Sequence, residues 1–167
     1  MIHVNVRGII IRKYENELQA IIQLRKREGE PEMYELPGGR INEYEKITDG
    51  LKREIMEETG LNVIKIYNEQ ESITTTGNGT KSSFSIECIK PFAAYQTIKG
   101  PVDSFGIYFV CEVEGVLSTE GDDTADVHWE NIDGIQKIID DHKFSEIDLP
   151  AMLMFLRDTN SEKLIVE

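Results

Sequence analysis

The sequence predicts an α+β fold, a mixed α/β/α sandwich, on three observations. Strand-like runs lie on both sides of one central helical segment, further helical segments follow late in the chain, and 167 residues suit one domain that buries roughly two-thirds of its unfolded surface. A single domain over 1–167 is expected, with a core over about 1–140 and a C-terminal helical extension over about 145–160.

The elements follow in order. Val4 to Arg12 alternates and then runs apolar through Ile9, Ile10 and Ile11, which reads as a strand entering a core. A turn at Tyr14-Glu15-Asn16-Glu17 leads into a second strand over Leu18 to Leu24. Arg25-Lys26-Arg27 ends that strand, and such a patch is first read as a solvated edge. Gly29-Glu30-Pro31 makes a loop, and Tyr34 to Leu36 brings an apolar approach to a Pro37-Gly38-Gly39 bend. Thr48 to Thr59 has the composition of a helix, with Thr48 or Asp49 as start signals and Gly60 as its stop. Gly50 inside it costs about 1 kcal/mol against alanine. Leu61 to Ile66 reads as a strand, and the Ser/Thr/Gly/Asn stretch from Ser72 to Ser83 as a mobile loop or loose hairpin. Phe84 to Ala94 and Phe105 to Val113 predict strands, with a short one at Val127-His128-Trp129. Asp133 to Asp141 and Asp148 to Arg157 predict helices, Pro150 being tolerable in a first turn.

Composition narrows the function classes. A net charge of −13 weighs against binding a nucleic-acid backbone, which needs a basic face to displace counterions. No run approaches the roughly 18 apolar residues of a membrane helix, so no membrane partner is expected. No basic-then-apolar leader is visible, which points to the cytoplasm. Cys88 and Cys111 have no metal-type spacing and are read as reduced core thiols. An anionic substrate would need neutralising by something other than the 18 Lys and Arg. Bound cations would do this, because carboxylates that repel phosphate attract it once they hold Mg²⁺.

The chemistry concentrates in the central helix. Glu54, Glu57 and Glu58 stand at i, i+3 and i+4, so they share one face. Like charges so spaced destabilise a helix, and two of them sit near its C-terminal end, where the macrodipole disfavours carboxylates. Three convergent carboxylates make a hard-oxygen site suited to Mg²⁺ or Mn²⁺. Taken alone, a Glu-rich helix is still read as a solvated face. The Gly-Gly bend upstream, which allows close backbone approach, and Glu45 between bend and helix shift the reading towards function. Arg53 is placed four residues before Glu57, close enough to orient it.

At these residues the chain resembles the Nudix (MutT-like) hydrolase family. The family's box, Gly-x5-Glu-x7-Arg-Glu-aliphatic-x-Glu-Glu-x-Gly-aliphatic, is filled by Gly39, Glu45, Arg53, Glu54, Ile55, Glu57, Glu58, Gly60 and Leu61. The flanks fit as well: Gln23-Leu24-Arg25, Leu36-Pro37-Gly38-Gly39 and a late Trp129 strand followed by a helix. The departures are Asn42 and Tyr44, where many members carry Glu and Gly, Tyr34 in a common Trp position, and Gly50-Leu51 in place of two small residues.

The resemblance implies a mixed central sheet and a loop–helix–loop catalytic motif. Glu54, Glu57 and Glu58 would ligate Mg²⁺ or Mn²⁺, with the Gly38 carbonyl as an extra ligand. Arg53 would position the glutamates, and Gly39, Glu45 and Gly60 would shape the motif. Glu57, Glu58 and Arg53 are thus the expected catalytic set, with Glu57, Glu58 or an acid of the loop Glu120, Asp122, Asp123 as the base. Arg25 is the candidate substrate contact; Lys81 and Lys90 are weaker candidates, read first as surface decoration. Phe105, Tyr108, Phe109 and Tyr34 could stack a base but are read first as core.

The implied reaction is metal-dependent hydrolysis of the diphosphate bond in a nucleoside diphosphate linked to another group, such as ADP-ribose, a nucleotide sugar or a nucleoside triphosphate. A homodimer is compatible with this reading. The alternative is a catalytically inactive ligand-sensing module. An isopentenyl diphosphate isomerase of the same fold would need further metal-binding histidines and a catalytic cysteine, and neither cysteine flanks the box. Subgroup markers about 16 residues past the box, Pro or Tyr, are absent at Thr75-Thr76-Gly77-Asn78. The substrate is therefore not written in the box.

Overall fold

The computed structural model describes residues 1–119, 121 and 123–161. Ten strands and three helices follow one another: β1 (His3–Tyr14), β2 (Glu17–Arg25), β3 (Met33–Glu35), β4 (Gly38–Arg40), α1 (Ile47–Thr59), β5 (Asn62–Ile66), a 3-10 turn at Glu69–Glu71, β6 (Ile73–Thr75), β7 (Ile86–Cys88), β8 (Ala93–Gln96), β9 (Ser104–Glu114), β10 (Thr124–Asn131), α2 (Ile132–Asp140) and α3 (Leu149–Asn160).

The main sheet runs β10-β2-β1-β9-β5, with β3 on β2, β4 on β1 and β8 on β9. It is mixed: β1 and β9 are parallel, from His3 opposite Ser104 to Ile10 opposite Cys111, and the other pairs are antiparallel. The pleat sends alternate residues of β1 to opposite faces. Ile9 and Ile11 pack with Ala20, Ile22 and Val110 against Ile135 of α2 and Met152 and Phe155 of α3. Val6 and Ile10 pack with Ile21, Phe109 and Cys111 against Leu51 and Ile55 of α1. Each face is thus covered by helix, which is the α/β/α sandwich the sequence predicts. No helix among the described residues is long and apolar enough to cross a membrane.

Helix α1 begins one residue before Thr48, with Lys46 in extended backbone, and ends at Gly60 in the left-handed conformation (φ 73°), whose N–H donates to the Met56 carbonyl. Gly50 is where the loop before the helix presses on it. A Cβ there would stand 2.5 Å from Ile41 Cδ1 and 3.0 Å from Glu45 Oε2. The residue that looks like a flaw in the helix leaves room for the Ile41 and Glu45 side chains.

Two expectations need correction. Phe84 to Ala94 is not one strand: β7 pairs with β6 in a separate two-stranded sheet, whereas β8 joins β9. Pro91 separates them, since it has no N–H for a ladder. Cys88 is exposed and only Cys111 is a core thiol, both of them free. The stretch from Ser72 to Ser83 contributes one strand of the β6–β7 hairpin and most of its loop.

Candidate active site

The central site is a cavity of about 400 Å³ between the Gly38-Gly39 bend, the C-terminal half of α1 and the ends of β1, β2 and β9. Glu54 and Glu58 line it, together with Glu35 and Asp123. Arg7, Arg25, Arg27 and Arg40 line it too. A chain of net charge −13 gathers four of its arginines around these carboxylates.

Glu58 is held from two sides. The Gly38 N–H donates to its Oε2 at 2.7 Å and Gln23 Nε2 donates at 3.0 Å. Gln23 Nε2 also reaches the buried Glu35 Oε1 at 3.4 Å, so one amide spans two acids. Burial pushes the Glu58 carboxyl up to about 7, with a further upward push from Glu35, against the downward pull of Gly38, Gln23 and Arg7. Burial likewise pushes Glu35 up against the pull of Arg7. Glu35 Oε2 is buried without a hydrogen-bond partner, 3.7 Å from Arg25 Nη1 and 3.9 Å from Arg7 Nη1.

Arg53 ties the motif together. Its Nε and Nη2 donate to the two oxygens of Glu45 at 2.7 and 2.9 Å, Nη1 donates to Glu54 at 2.7 Å, and Nη2 also donates to the Arg40 carbonyl at 2.9 Å. The Asn42 N–H donates to Glu45 at 2.9 Å. The Arg53 hydrogen bond and that of Asn42 hold the Glu45 carboxyl down at about 2. Gly39 has no Cβ because Glu54 fills that space, its Cδ lying 2.5 Å from where one would be.

The expected residues are not all brought together. Glu54, Glu58, Gly38, Gly39 and Arg25 line the cavity, whereas Glu57 does not. The Glu57 side chain is 58% exposed and rests 3.4 Å from Arg53 Nη1. Among the described residues, no three His, Cys, Asp or Glu side chains stand ready in ligating geometry. Asp123 of the acidic loop lines the cavity; Glu120 and Asp122 lie outside the described residues. Lys90 pairs with Glu71 at 2.7 Å, and neither it nor Lys81 reaches the cavity. Tyr108 and Phe109 are core, Phe105 is partly exposed, and Tyr34 donates to Asp126 at 2.6 Å. The aromatic side chain at the cavity is Tyr95.

A buried pair escaped the sequence reading. Arg7 lies in the apolar run of β1, and Asp148, fully buried, precedes α3. Arg7 Nε stands 3.3 Å from Asp148, and Arg7 Nη1 donates to the Leu36 carbonyl at 2.8 Å. Asp148 in turn accepts from the Leu36 N–H at 2.9 Å and the Tyr108 hydroxyl at 2.7 Å. This cluster fixes the backbone leading into Gly38. A charge inside an apolar strand run was the available signal.

The family model described as NUDIX domain matches residues 1–148. An 8-oxo-dGTP diphosphatase of Buchnera aphidicola subsp. Schizaphis graminum is 42% identical over 58 residues, 35% of this chain and 42% of that protein's length. The NUDIX domain of Shewanella oneidensis NrtR complexed with ADP ribose superposes with a TM-score of 0.67 at 12% identity, covering 98% of this chain and 90% of that one. A bifunctional NMN adenylyltransferase/ADP ribose pyrophosphatase from Francisella tularensis, complexed with AMP and a Mn ion, gives 0.64 at 17% identity over 95% of this chain and 42% of that one. At such identities these two structures bear on the fold alone.

Proposed function

The chain belongs to the Nudix family, and from that premise we propose that it is a metal-dependent pyrophosphohydrolase. Its substrate would be a nucleoside diphosphate linked to another group: ADP-ribose, a nucleotide sugar or a nucleoside triphosphate. The observation that carries this reading is that Glu54 and Glu58 line one cavity together with Arg7, Arg25, Arg27 and Arg40. A diphosphate with a divalent cation carries charges of both signs and meets partners for both there.

The residues fit a divalent cation. Glu35 Oε2 is buried without a hydrogen-bond partner, and burial, with the nearby Glu35, raises the Glu58 carboxyl. Glu54 and Glu58 would hold Mg²⁺ or Mn²⁺ with the Gly38 carbonyl, and Glu57 would join them by turning about its exposed side chain. Such an ion lowers the pKa of a bound water and neutralises charge on diphosphate oxygens. Arg53 keeps Glu54 and Glu45 in register, as its hydrogen bonds indicate. Arg25, which lines the cavity and whose Nε has no hydrogen bond and lies 3.7 Å from Glu30, would grip a phosphate oxygen. Asp123 is the described loop acid placed to take a proton from the attacking water, beside Glu57 and Glu58 as alternatives. All of this lies within one domain, with α3 packed on its core.

The nucleoside part of the proposal follows the ligands of two neighbours that share the fold, which are complexed with ADP ribose and with AMP. The test is a phosphate-release screen of the purified protein with Mg²⁺ or Mn²⁺ over ADP-ribose, nucleotide sugars, dinucleoside polyphosphates and nucleoside triphosphates. Turnover of at least one, abolished by chelator, is expected. No turnover of any would overturn the hydrolase reading in favour of a ligand-sensing module.

A further inference from the structure

Helix α1 carries the site's glutamates but does not cap its own N-terminus. Lys46, at the cap position, makes no side-chain cap hydrogen bond. Glu45, the nearest upstream acid, is engaged by Arg53 and the Asn42 N–H. The Gly50 N–H is the fourth of the helix and already donates to the Lys46 carbonyl. That leaves the N–H groups of the first turn in want of an acceptor. One arrives from about forty residues away. Glu87, at the centre of β7, accepts from the Ile47 N–H at 3.2 Å through Oε1, and its Oε2 lies 3.5 Å from the Thr48 hydroxyl.

The position of that residue in the fold gives the contact its meaning. The β6–β7 sheet shares no ladder with the main sheet, and neither strand lines the catalytic cavity. The hairpin reaches α1 through this carboxylate, just ahead of Ile89, which packs on the core beneath the helix. The further tie between α1 and the segment leading to the hairpin is Lys52–Glu69, an exposed pair at 3.9 Å, and such pairs hold little. A carboxylate at a helix N-terminus both completes the backbone hydrogen bonding and complements the macrodipole. Displacement of that end is transmitted along a rigid helix to Glu54 and Glu58, whose oxygens are placed within hydrogen-bond tolerances of Arg53, Gln23 and the Gly38 N–H.

We infer that Glu87 is a positioning residue for the site: from the β6–β7 hairpin it caps the catalytic helix and fixes where Glu54 and Glu58 stand. This rests on the hydrolase reading for its effect on turnover, but not for its effect on metal binding. It does not line the cavity, so it should act on kcat and on metal affinity rather than on KM.

The test compares Glu87→Ala with Glu87→Gln, which keeps an acceptor oxygen. Both are measured for Mn²⁺ affinity by electron paramagnetic resonance titration, for kcat and KM on whichever substrate the screen yields, and for thermal unfolding. Glu87→Ala should weaken Mn²⁺ binding and lower kcat each by about fivefold to tenfold, near the low end for groups that orient metal-binding residues. KM should stay within about twofold, as for a group without substrate contact. Glu87→Gln should recover most of both losses. Unchanged Mn²⁺ affinity in Glu87→Ala would overturn the inference. So would equal losses in both variants that merely track a lower folded fraction. If the wild type turns over no substrate, the hydrolase reading fails, and the Mn²⁺ titration still decides the role of Glu87.

Discussion

Replacing Glu58 by glutamine should stabilise the metal-free protein, and only at the higher end of the pH range. Each tenfold change in proton affinity is worth about 1.4 kcal/mol, so a carboxyl raised from 4.5 to about 7 carries a penalty of about 3 kcal/mol once ionised. The sign follows from linkage. Between those two values the folded chain holds a proton that the unfolded chain has released, so stability falls as pH rises. The penalty is absent below about pH 4.5, grows through the window and is complete above about pH 7. Glutamine cannot ionise, and its amide oxygen can still accept from the Gly38 N–H. Urea unfolding with Mg²⁺ chelated should therefore give nearly equal stabilities at pH 4.5. At pH 8 the variant should be the more stable by about 2–3 kcal/mol, the lower figure allowing for relaxation around Glu35. Saturating Mn²⁺ should reverse the order, because only the wild type gains a tightly held ion. A difference independent of pH, or a variant less stable at pH 8, would refute the idea that buried charge at Glu58 is what strains the empty site.

Other perturbations follow from single contacts. Arg53→Ala removes the bridge between Glu45, Glu54 and the Arg40 carbonyl and should cut kcat by about 10–100-fold, with Arg53→Lys recovering little because one ammonium cannot serve the three groups; a near-normal rate in steady-state assays would count against it. Gly50→Ala, which helix propensity alone would favour by about 1 kcal/mol, should instead destabilise by about 1 kcal/mol in urea melts, since its Cβ meets Ile41 and Glu45. Asp148→Ala strands Arg7 beneath the Leu36 backbone and should cost about 3–5 kcal/mol; a loss under 1 kcal/mol, as for a surface pair, would show that Arg7 finds water instead. Tyr44, 98% exposed and held at φ 59°, should gain about 0.5–1 kcal/mol on replacement by Asn, which tolerates that conformation better.

How far the sequence could be read depended on the range of the forces involved. Helix α1 was legible because spacing, a Gly60 stop and a period of 3.6 are all local, and β1 and β2 were legible for the same reason. Phe84 to Ala94 was misread because its apolar content outweighed Pro91, although a proline without an N–H breaks any ladder that crosses it. Which way Glu57 turns was not legible: a 58% exposed side chain is directed by rotamer preference and solvent, which leave no mark in spacing. Arg7 and Asp148 stand far apart in sequence, and nothing near either residue announces the other. Tyr44 shows that a departure from the family pattern can be purely conformational. The position keeps its positive φ without a glycine and holds the loop in shape at some cost in strain.

The arrangement of charge explains how so acidic a chain can receive an anion. Arg7 and Arg25 both approach Glu35, and Arg7 also pairs with Asp148, so that wall of the cavity is close to neutral before anything binds. Arg53 attends to Glu45 and Glu54 on the far side of the bend. Glu58 alone faces the cavity with amide donors and no ion pair at close range among the described residues. Its charge is thus open to neutralisation by a cation, and burial has raised its proton affinity. A proton and a divalent ion compete for the same oxygens. Apparent metal affinity should thus fall about tenfold for each pH unit below 7 while Glu58 is the controlling group. Mn²⁺ titrations at pH 5.5, 6.5 and 7.5 would show this dependence, and Glu58→Gln should abolish it. If the slope survives in the variant, a different carboxylate controls metal binding, and Glu35 is the next to be replaced.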